Sequence, residues 1–511
     1  MQRVIQGPNG LLPSMLKYMQ DAGVDIGKVQ PRPDYFPRVW NAGFIASHQK
    51  EFLAMLEKYK LAGKFQGDPV ELMHKLVAAD GSEFTVEVEK PGMQFLKRRV
   101  LDFIEPADAA PFMRKDLYEV MSSYVTQATR RAEWARRFGD DGIGISRMLA
   151  AAKQQGATPE QIETAHNFVR SVDGTLGDTL DPNVRRWMGN IIVYQNLRLL
   201  PLAIFSSVTD PMGIMVRGGT LGDAWSAFKR GVREVRLNFK DEYQADADTQ
   251  LALLVGTIDD ASLMHAVGAG YSQGMVGDTA RKINDTFFRF NLMEQFNRSM
   301  RVGATQAAIS FLERHASGTA SPHSERWMAE LGFAPGEYKT DLNDPKVLAA
   351  INRWVDGAVL RPDAADKPIW MSDPRFVLIS HLKQFVYSFH QTIVKRVTHE
   401  AMNGNYAPAM ALTSYVPIMI AADLLKGVIQ GGGEQPSWKK GWGVGDYVWS
   451  GVQRAGMLGV GEFAVGGVGS LAGPTIEQLA EGVQALGKQG DGAGFALKSL
   501  PGEALFKGAV H

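Results

Sequence analysis

Apolar residues recur at helical spacing through most of this chain of 511 residues. In residues 112–135 they return every three to five positions, which is the period of one face of an α-helix. The same pattern recurs as far as residue 425, whereas the alternation typical of a half-buried strand occurs once, in residues 83–89. The sequence therefore predicts a mainly α fold, with strand confined to about residues 80–100.

Proline and glycine divide the helical pattern into segments. Thr158, Pro159 and Gln161 together predict a helix N-terminus with a reciprocal capping box. Asp181-Pro182 and Asp373-Pro374 predict two further helix starts. Single long helices are predicted over residues 278–316 and 375–402.

The length predicts an elongated protein of several domains, because one hydrophobic core rarely organises more than about 250–300 residues. Changes in composition divide it into four segments. They are a small α/β or irregular region over 1–110, a helical domain over 111–275, a long-helix domain over 276–430 and a Gly/Ala-rich tail over 431–511.

The charge balance and the absence of cysteine exclude several classes of function. Lysine plus arginine and aspartate plus glutamate both total 55, so no global basic field exists to hold nucleic acid. The chain has no cysteine, which excludes disulfides, cysteine zinc sites and thiol catalysis. The first twelve residues lack the apolar core of a secretory signal, so synthesis in a cytoplasm is expected. We predict no cofactor.

One motif suggests catalysis. Gly270-Tyr271-Ser272-Gln273-Gly274 matches the G-x-S-x-G turn that presents a nucleophilic serine. That turn works when a buried strand delivers the serine and a helix leaves it, and no βαβ pattern surrounds Ser272. We predict that the chain is not an enzyme, and a serine hydrolase using Ser272 remains an alternative.

Two groups of residues are candidates for contact with partners. Basic residues on predicted helices are candidates for a DNA-facing surface, with ordinary solvated helix faces as the alternative. They are Arg130, Arg131, Arg136, Arg137, Lys229 and Arg230.

The second group contains apolar residues near the C-terminal end. Residues 407–425 approach the ~20 apolar residues that a membrane span needs, but Pro408, Pro417 and Asp423 interrupt them. We therefore expect neighbouring subunits of an oligomer to supply compensation, and a soluble helix pair with a flexible tail is the alternative. The candidate contacts with membrane or oligomer are Tyr415, Ile418, Ile420, Leu424, Leu425, Met457, Leu458 and Val460.

Three stretches stand in a characteristic order. They are residues 190–211 (NIIVYQNLRLLPLAIFSSVTDP) followed by 224–225 and 231–234, residues 290–301 (FNLMEQFNRSMR), and residues 454–459 (RAGMLG) followed by 471–475. Together they make the chain resemble the C-terminal part of large internal virion proteins of short-tailed bacteriophages. The resemblance lies in order and spacing, since no single stretch is diagnostic.

The resemblance implies an internal virion protein that is packed near the portal, in the virion interior, with other internal virion proteins. After release it would enter the host periplasm and inner membrane and form a homo-oligomeric conduit for genome delivery. Contact with the passing phage DNA would be transient and independent of sequence. Some relatives carry a peptidoglycan-cleaving domain, of which this chain shows no sign. A static virion core, portal-proximal or tail protein is the alternative.

Overall fold

The fold is described from a computed structural model. The residues that it describes are 7, 10–24, 39–78, 104–139, 142–173, 176–177, 180–201, 207, 210–239, 246–258, 278–360, 367–380, 383–430, 439–454, 478, 481, 484 and 499. These residues are mainly helical, and their only β pairing is an antiparallel bridge between Trp40 and Met113. The predicted mainly α fold is confirmed. The predicted strand at 83–89 lies outside the described residues.

The described residues divide into two compact units. The first contains those up to Asn190, with 278–280 and 372–375, and the second contains those of 191–258, 281–371 and from 376 onward. The division into two units does not test the predicted boundaries of the four domains, which stay a prediction. The helices up to Asn190 are α1 (Leu11–Asp21), α2 (Ala42–Ser47), α3 (Gln49–Leu61), α4 (Pro69–Ala78), α5 (Pro106–Ala109), α6 (Leu117–Phe138), α7 (Ile143–Gln154), α8 (Pro159–Asp173) and the start of α9 (Pro182–Leu199).

The first unit contains two hydrophobic clusters. In one, helices α2 to α4 surround Phe52, whose ring makes edge contacts with Trp40 and Phe112 at centroid distances of 5.8 and 5.1 Å. In the other, α1 packs against the apolar face of α6. The buried residues of that face on α6 are the ones that the helical period predicts, namely Val120, Met121, Tyr124, Ala128, Ala132 and Ala135.

The second unit is built on longer helices. Those after Asn190 are the end of α9, then α10 (Asp210–Val216), α11 (Leu221–Phe239), α12 (Ala247–Val255), α13 (Asp278–Phe290), α14 (Met293–Ala316), α15 (Glu325–Leu331), α16 (Pro345–Ala358), α17 (Ile369–Ser372), α18 (Val377–Ser380), α19 (Gln384–Phe389), α20 (Lys395–Met402), α21 (Ala407–Thr413), α22 (Tyr415–Gln430) and α23 (Val444–Arg454). Helices α13 and α17 include residues of both units.

Small residues set the distance between α11 and α14, the most extensively paired helices of the second unit. A Cβ placed on Gly303 of α14 would lie 2.5 Å from the Cβ of Ala227 on α11. A Cβ placed on Gly231 would meet Met300 and Phe296 at 2.6 and 2.9 Å. The two backbones therefore approach more closely than larger side chains would permit.

Both predicted long helices are interrupted. The helix predicted over 278–316 breaks at Leu292, which has φ 63 and is the one non-glycine residue with positive φ in the described part of the chain. The Asn291 side chain accepts from the backbone N of Met293 at 3.0 Å, so it starts α14 anew. Within 375–402, α18 ends at Ser380, and a π-helical turn (His390–Val394) separates α19 from α20.

The predicted helix starts are confirmed by their hydrogen bonds. The Thr158 backbone N donates to Gln161 Oε1 at 2.9 Å, and the Gln161 backbone N donates to Thr158 Oγ1 at 3.3 Å. Asp181 and Asp373 accept from the second following backbone N at 2.8 and 2.9 Å. The described part of residues 1–110, which were predicted to be a small α/β or irregular region, contains helices α1 to α5, and α1 to α4 pack around buried aromatic and aliphatic side chains.

Candidate membrane-contact site

Helices α21 and α22 follow one another with only Ser414 between them, and α23 packs against α22. We call α22, α23 and the described residues 439–443 that precede α23 the C-terminal hairpin. Gly451 of α23 lies against α22, because an added Cβ would be 2.7 Å from Ile420 Cγ1 and 3.1 Å from the Val416 carbonyl oxygen. A glycine here therefore lets the two helices approach closely.

A buried ion pair lies inside the C-terminal hairpin. Lys439 Nζ is 2.6 Å from Asp423 Oδ2, and both side chains are only 4% exposed. Lys439 also donates to the Asp423 carbonyl oxygen at 3.1 Å, and Ser450 Oγ lies 3.5 Å from Asp423 Oδ2. The charge of Asp423 is thus compensated within the chain.

This arrangement changes the expectation for Asp423. The sequence analysis assigned its compensation to neighbouring subunits, whereas Lys439 and Ser450 of the same chain supply it. Sequence reasoning missed both residues because they lie in the segment assigned to the Gly/Ala-rich tail. The available signal was a lysine and an aspartate sixteen positions apart, with the sequence Gly431-Gly432-Gly433 between them.

An exposed stripe of mostly apolar residues follows one side of α20 to α22. From Met410 onward its exposed members recur every three or four positions along α21 and α22, which places them on one helical face. They are Met402, Tyr406, Met410, Thr413, Pro417, Ala421, Leu425 and Val428. The segment Ala407–Ile429 is the one helical run in the described residues that is long and apolar enough to cross a membrane.

The opposite side of the same run belongs to the core of the second unit. Tyr415 is buried and its ring packs edge-on against Phe389, with centroids 6.2 Å apart. Tyr415, which the sequence analysis named as a contact residue, therefore offers no surface in this arrangement. Ile418, Ile420 and Leu424 are half-buried.

Hydrogen bonds to a buried carboxylate connect the start of this run to the core. The buried Glu400 of α20 accepts from Trp327 Nε1 at 2.9 Å, from Arg326 at 2.8 Å and from Asn405 Nδ2 at 2.8 Å. Burial opposes ionisation of Glu400, but these hydrogen bonds and the positive charges of Arg326 and Arg396 outweigh it and hold the pKa of Glu400 below its ordinary value.

A second carboxylate joins the same helices. Glu330 of α15 accepts from Arg217 Nη1 at 2.7 Å and also pairs with Arg396 of α20. Burial disfavours the charged form of Glu330, and the two guanidinium groups more than reverse this effect, so its pKa is lowered. The sequence analysis did not identify the anchoring roles of Glu400 and Glu330, because both depend on partners far away in the sequence.

The basic residues of α6 are largely available to solvent. Arg130, Arg136 and Arg137 are exposed, and Arg131 is half-buried. Arg136 pairs with Glu133 at 2.8 Å. Arg130 and Arg137 are therefore the most accessible candidates for contact with a polyanion.

The other two candidate DNA-facing residues lie in the second unit and differ from each other. Lys229 is exposed. Arg230 is surrounded by carboxylates, with Glu234 at 3.0 Å, Asp248 at 2.9 Å and Asp246 also bonded. These groups neutralise its guanidinium, so Arg230 offers less free positive charge to a polyanion than the exposed Lys229.

Several other candidates lie outside the described residues, namely Ser272, Met457, Leu458 and Val460. Within the described part of the chain, no group of three histidine, aspartate or glutamate side chains is placed to hold a metal ion. Comparison with known protein families, curated proteins and solved structures gives no match to this chain.

Proposed function

We propose that this chain is a bacteriophage internal virion protein, released from the capsid to help form a conduit for the genome through the host envelope. One observation carries the proposal beyond the sequence resemblance. The apolar run Ala407–Ile429 is partly uncovered, and the buried Asp423 within it is already paired with Lys439.

This pairing bears directly on entry into a bilayer. An isolated charge in hydrocarbon is costly, and intramembrane ionisable residues usually pair with one another. Because the partner of Asp423 belongs to the same hairpin, the hairpin enters with this charge compensated. The exposed stripe on α20 to α22 then gains by leaving water, since burial of apolar area is favourable.

The uncovered stripe favours a membrane role over a static one. A component that stays in the particle would have to cover this stripe with another subunit, whereas a released protein could bury it in lipid. The alternative of a static virion protein predicts a different location for this chain after DNA release. Protein analysis of intact and DNA-emptied virions separates the two, because an ejected protein leaves the particle with the genome and a static protein stays.

Liposome flotation of the full-length protein tests the membrane contact. We expect the protein to float with anionic vesicles and to release a trapped dye. The double variant Leu425→Asp with Val428→Asp should lose both activities, because it places two charges on the exposed stripe. Leu253→Asp with Leu254→Asp is the matched control, since it also adds two charges and these leucines are 43% and 82% exposed on α12, outside the stripe. Flotation that is absent in the parent protein, or unchanged in the double variant, contradicts the proposal.

A further inference from the structure

The exposed charges of α11 are all positive. Each belongs to a side chain that pairs with no carboxylate in the described part of the chain. They are Lys229, Arg233 and Arg236. The two carboxylates of α11 bond to α14 instead, since Asp223 lies 3.5 Å from Arg314 and the buried Glu234 accepts from Ser299 Oγ at 2.6 Å. The solvent side of α11 therefore carries positive charge that the protein does not compensate.

Three large apolar side chains share this side of the helix. Leu221, Trp225 and Val232 are 65%, 55% and 50% exposed, and their spacings of four and seven residues place them along one line. The Trp225 ring stacks on Phe228 at a centroid distance of 5.4 Å, and Phe228 packs against the core. The indole is thus held in position at the surface.

The basic and the apolar residues form two adjacent strips of one face. Positions 229, 233 and 236 follow Trp225 by four, eight and eleven residues, so at 100° per residue they lie within a quarter turn of it, on the side away from Leu221 and Val232. The opposite face of α11 is buried against α14, with Ala224, Ala227 and Gly231. We call the two exposed strips together the α11 face.

The composition of the α11 face indicates its partner. Duplex DNA would use the cations and leave the three apolar side chains in water. A second copy of the same face would set cations against cations. The surface of an anionic bilayer fits both strips, because its phosphates attract lysine and arginine, tryptophan prefers the headgroup level, and apolar side chains enter the boundary of the acyl chains.

We propose that the α11 face is a docking surface for anionic phospholipid headgroups. The helix lies in the plane of the interface and does not cross the membrane, because its other face stays packed on α14. Binding by three charges and shallow insertion is weak and reversible. The α11 face shares no residue with the C-terminal hairpin on which the proposed function depends, so each proposal can fail while the other stands.

Equilibrium binding at low salt tests the charges. The full-length chain is titrated with phosphatidylcholine vesicles that contain or lack phosphatidylglycerol. K229Q/R233Q/R236Q should lose roughly a hundredfold in affinity for the anionic vesicles, since each basic residue near such a surface contributes about fivefold. Its binding to pure phosphatidylcholine should match that of the parent. A parent affinity that does not depend on phosphatidylglycerol overturns the proposal.

The matched control for charge is K17Q/K50Q/K60Q. It also removes three cations, from exposed positions of α1 and α3 in the first unit, and should keep the parent affinity. An equal loss in the two triple variants shows that net charge is responsible and overturns the proposal. If K229Q/R233Q/R236Q loses affinity for duplex DNA and keeps its affinity for anionic vesicles, the α11 face binds DNA and the lipid proposal is wrong.

A fluorescent label tests the contact without removing a charge from the α11 face. Because the chain contains no cysteine, Val232→Cys accepts a single environment-sensitive dye, and Glu313→Cys, at an exposed position of α14, is the control. Anionic vesicles with nitroxide-labelled headgroups should shift the emission to the blue and quench it at 232 only. Equal responses at the two positions contradict the proposal.

The same label separates this proposal from the proposed function. In Leu425→Asp with Val428→Asp, the response at position 232 should persist at low salt, although flotation and dye release are lost. If the response at 232 disappears in that variant, the α11 face has no affinity for lipid of its own and the proposal is wrong.

Discussion

At the level of single residues, the ion pair of the C-terminal hairpin makes a sharp prediction. Lys439→Met leaves Asp423 buried without its cationic partner, and the loss of one member of a buried pair costs about 3–5 kcal/mol. We expect hydrogen exchange in α22 and α23 to speed up accordingly. Asp423→Asn with Lys439→Met removes both charges and should restore most of the protection.

The matched control for this prediction is Lys440→Met. Lys440 is the next residue along the chain and is exposed, so its replacement should leave exchange in α22 and α23 unchanged. Equal protection in Lys439→Met and Lys440→Met would show that the pair contributes nothing to the hairpin.

The lowered pKa of Glu400 predicts how the stability of the second unit depends on pH. Its lowered pKa means that the folded state stabilises the carboxylate, so this contribution is present above the unfolded pKa of about 4.3 and is lost as pH falls through the folded pKa. Glu400→Gln should lower the Tm of the second unit at pH 7 and make its fall below about pH 5 shallower. The exposed Glu313 supplies the control, because Glu313→Gln should change neither Tm nor slope. A parallel pH profile in Glu400→Gln would refute the role of Glu400.

At the level of elements, the close packing of α11 on α14 depends on glycine. Gly303→Ala introduces a Cβ at 2.5 Å from Ala227, so one helix must move, and overpacking of this kind costs about 1–3 kcal/mol. That cost exceeds the ~1 kcal/mol that alanine gains over glycine in a helix. We expect faster hydrogen exchange in α14.

Gly222 of α11 provides the opposite case. An added Cβ there meets only Thr220 Oγ1, at an ordinary distance of 3.5 Å. Gly222→Ala should therefore stabilise α11 by about 0.5–1 kcal/mol through the reduced freedom of the unfolded chain. If Gly303→Ala and Gly222→Ala change the rate of hydrogen exchange in the same direction, close packing at Gly303 does not explain the effect of Gly303→Ala.

Periodicity predicted which elements exist better than it predicted where they end. The buried face of α6 and the capping of α8 follow from local sequence, because the helical period and the Thr158–Gln161 box need no distant partner. The break at Leu292 was missed, because it depends on one asparagine side chain that restarts the helix. Lys439 was missed for a related reason, since its role exists only once α23 folds back onto α22.

For the whole molecule, the equal numbers of acidic and basic residues limit how this chain could hold DNA. A chain of zero net charge binds a polyanion only through local groups, and Arg130 and Arg137 on α6 are two exposed basic residues of this kind. The proposed conduit would also require weak contact, because tight phosphate binding would stall the passing DNA. The charge balance and this requirement both predict a low affinity that depends strongly on salt.

We therefore expect the full-length chain to bind duplex DNA weakly and without sequence preference, with an affinity that falls as salt rises. R130E/R137E should weaken this binding and reduce the slope of log affinity against log salt by about 2, since each phosphate contact contributes about 0.9. K50E/K60E makes the same change in net charge at two exposed positions of α3, which belongs to the same unit, so it controls for charge alone. Both double variants change the net charge by the same amount, so a larger loss of affinity in R130E/R137E would locate the DNA contact on α6. If both double variants lose the same affinity, α6 is not the DNA contact.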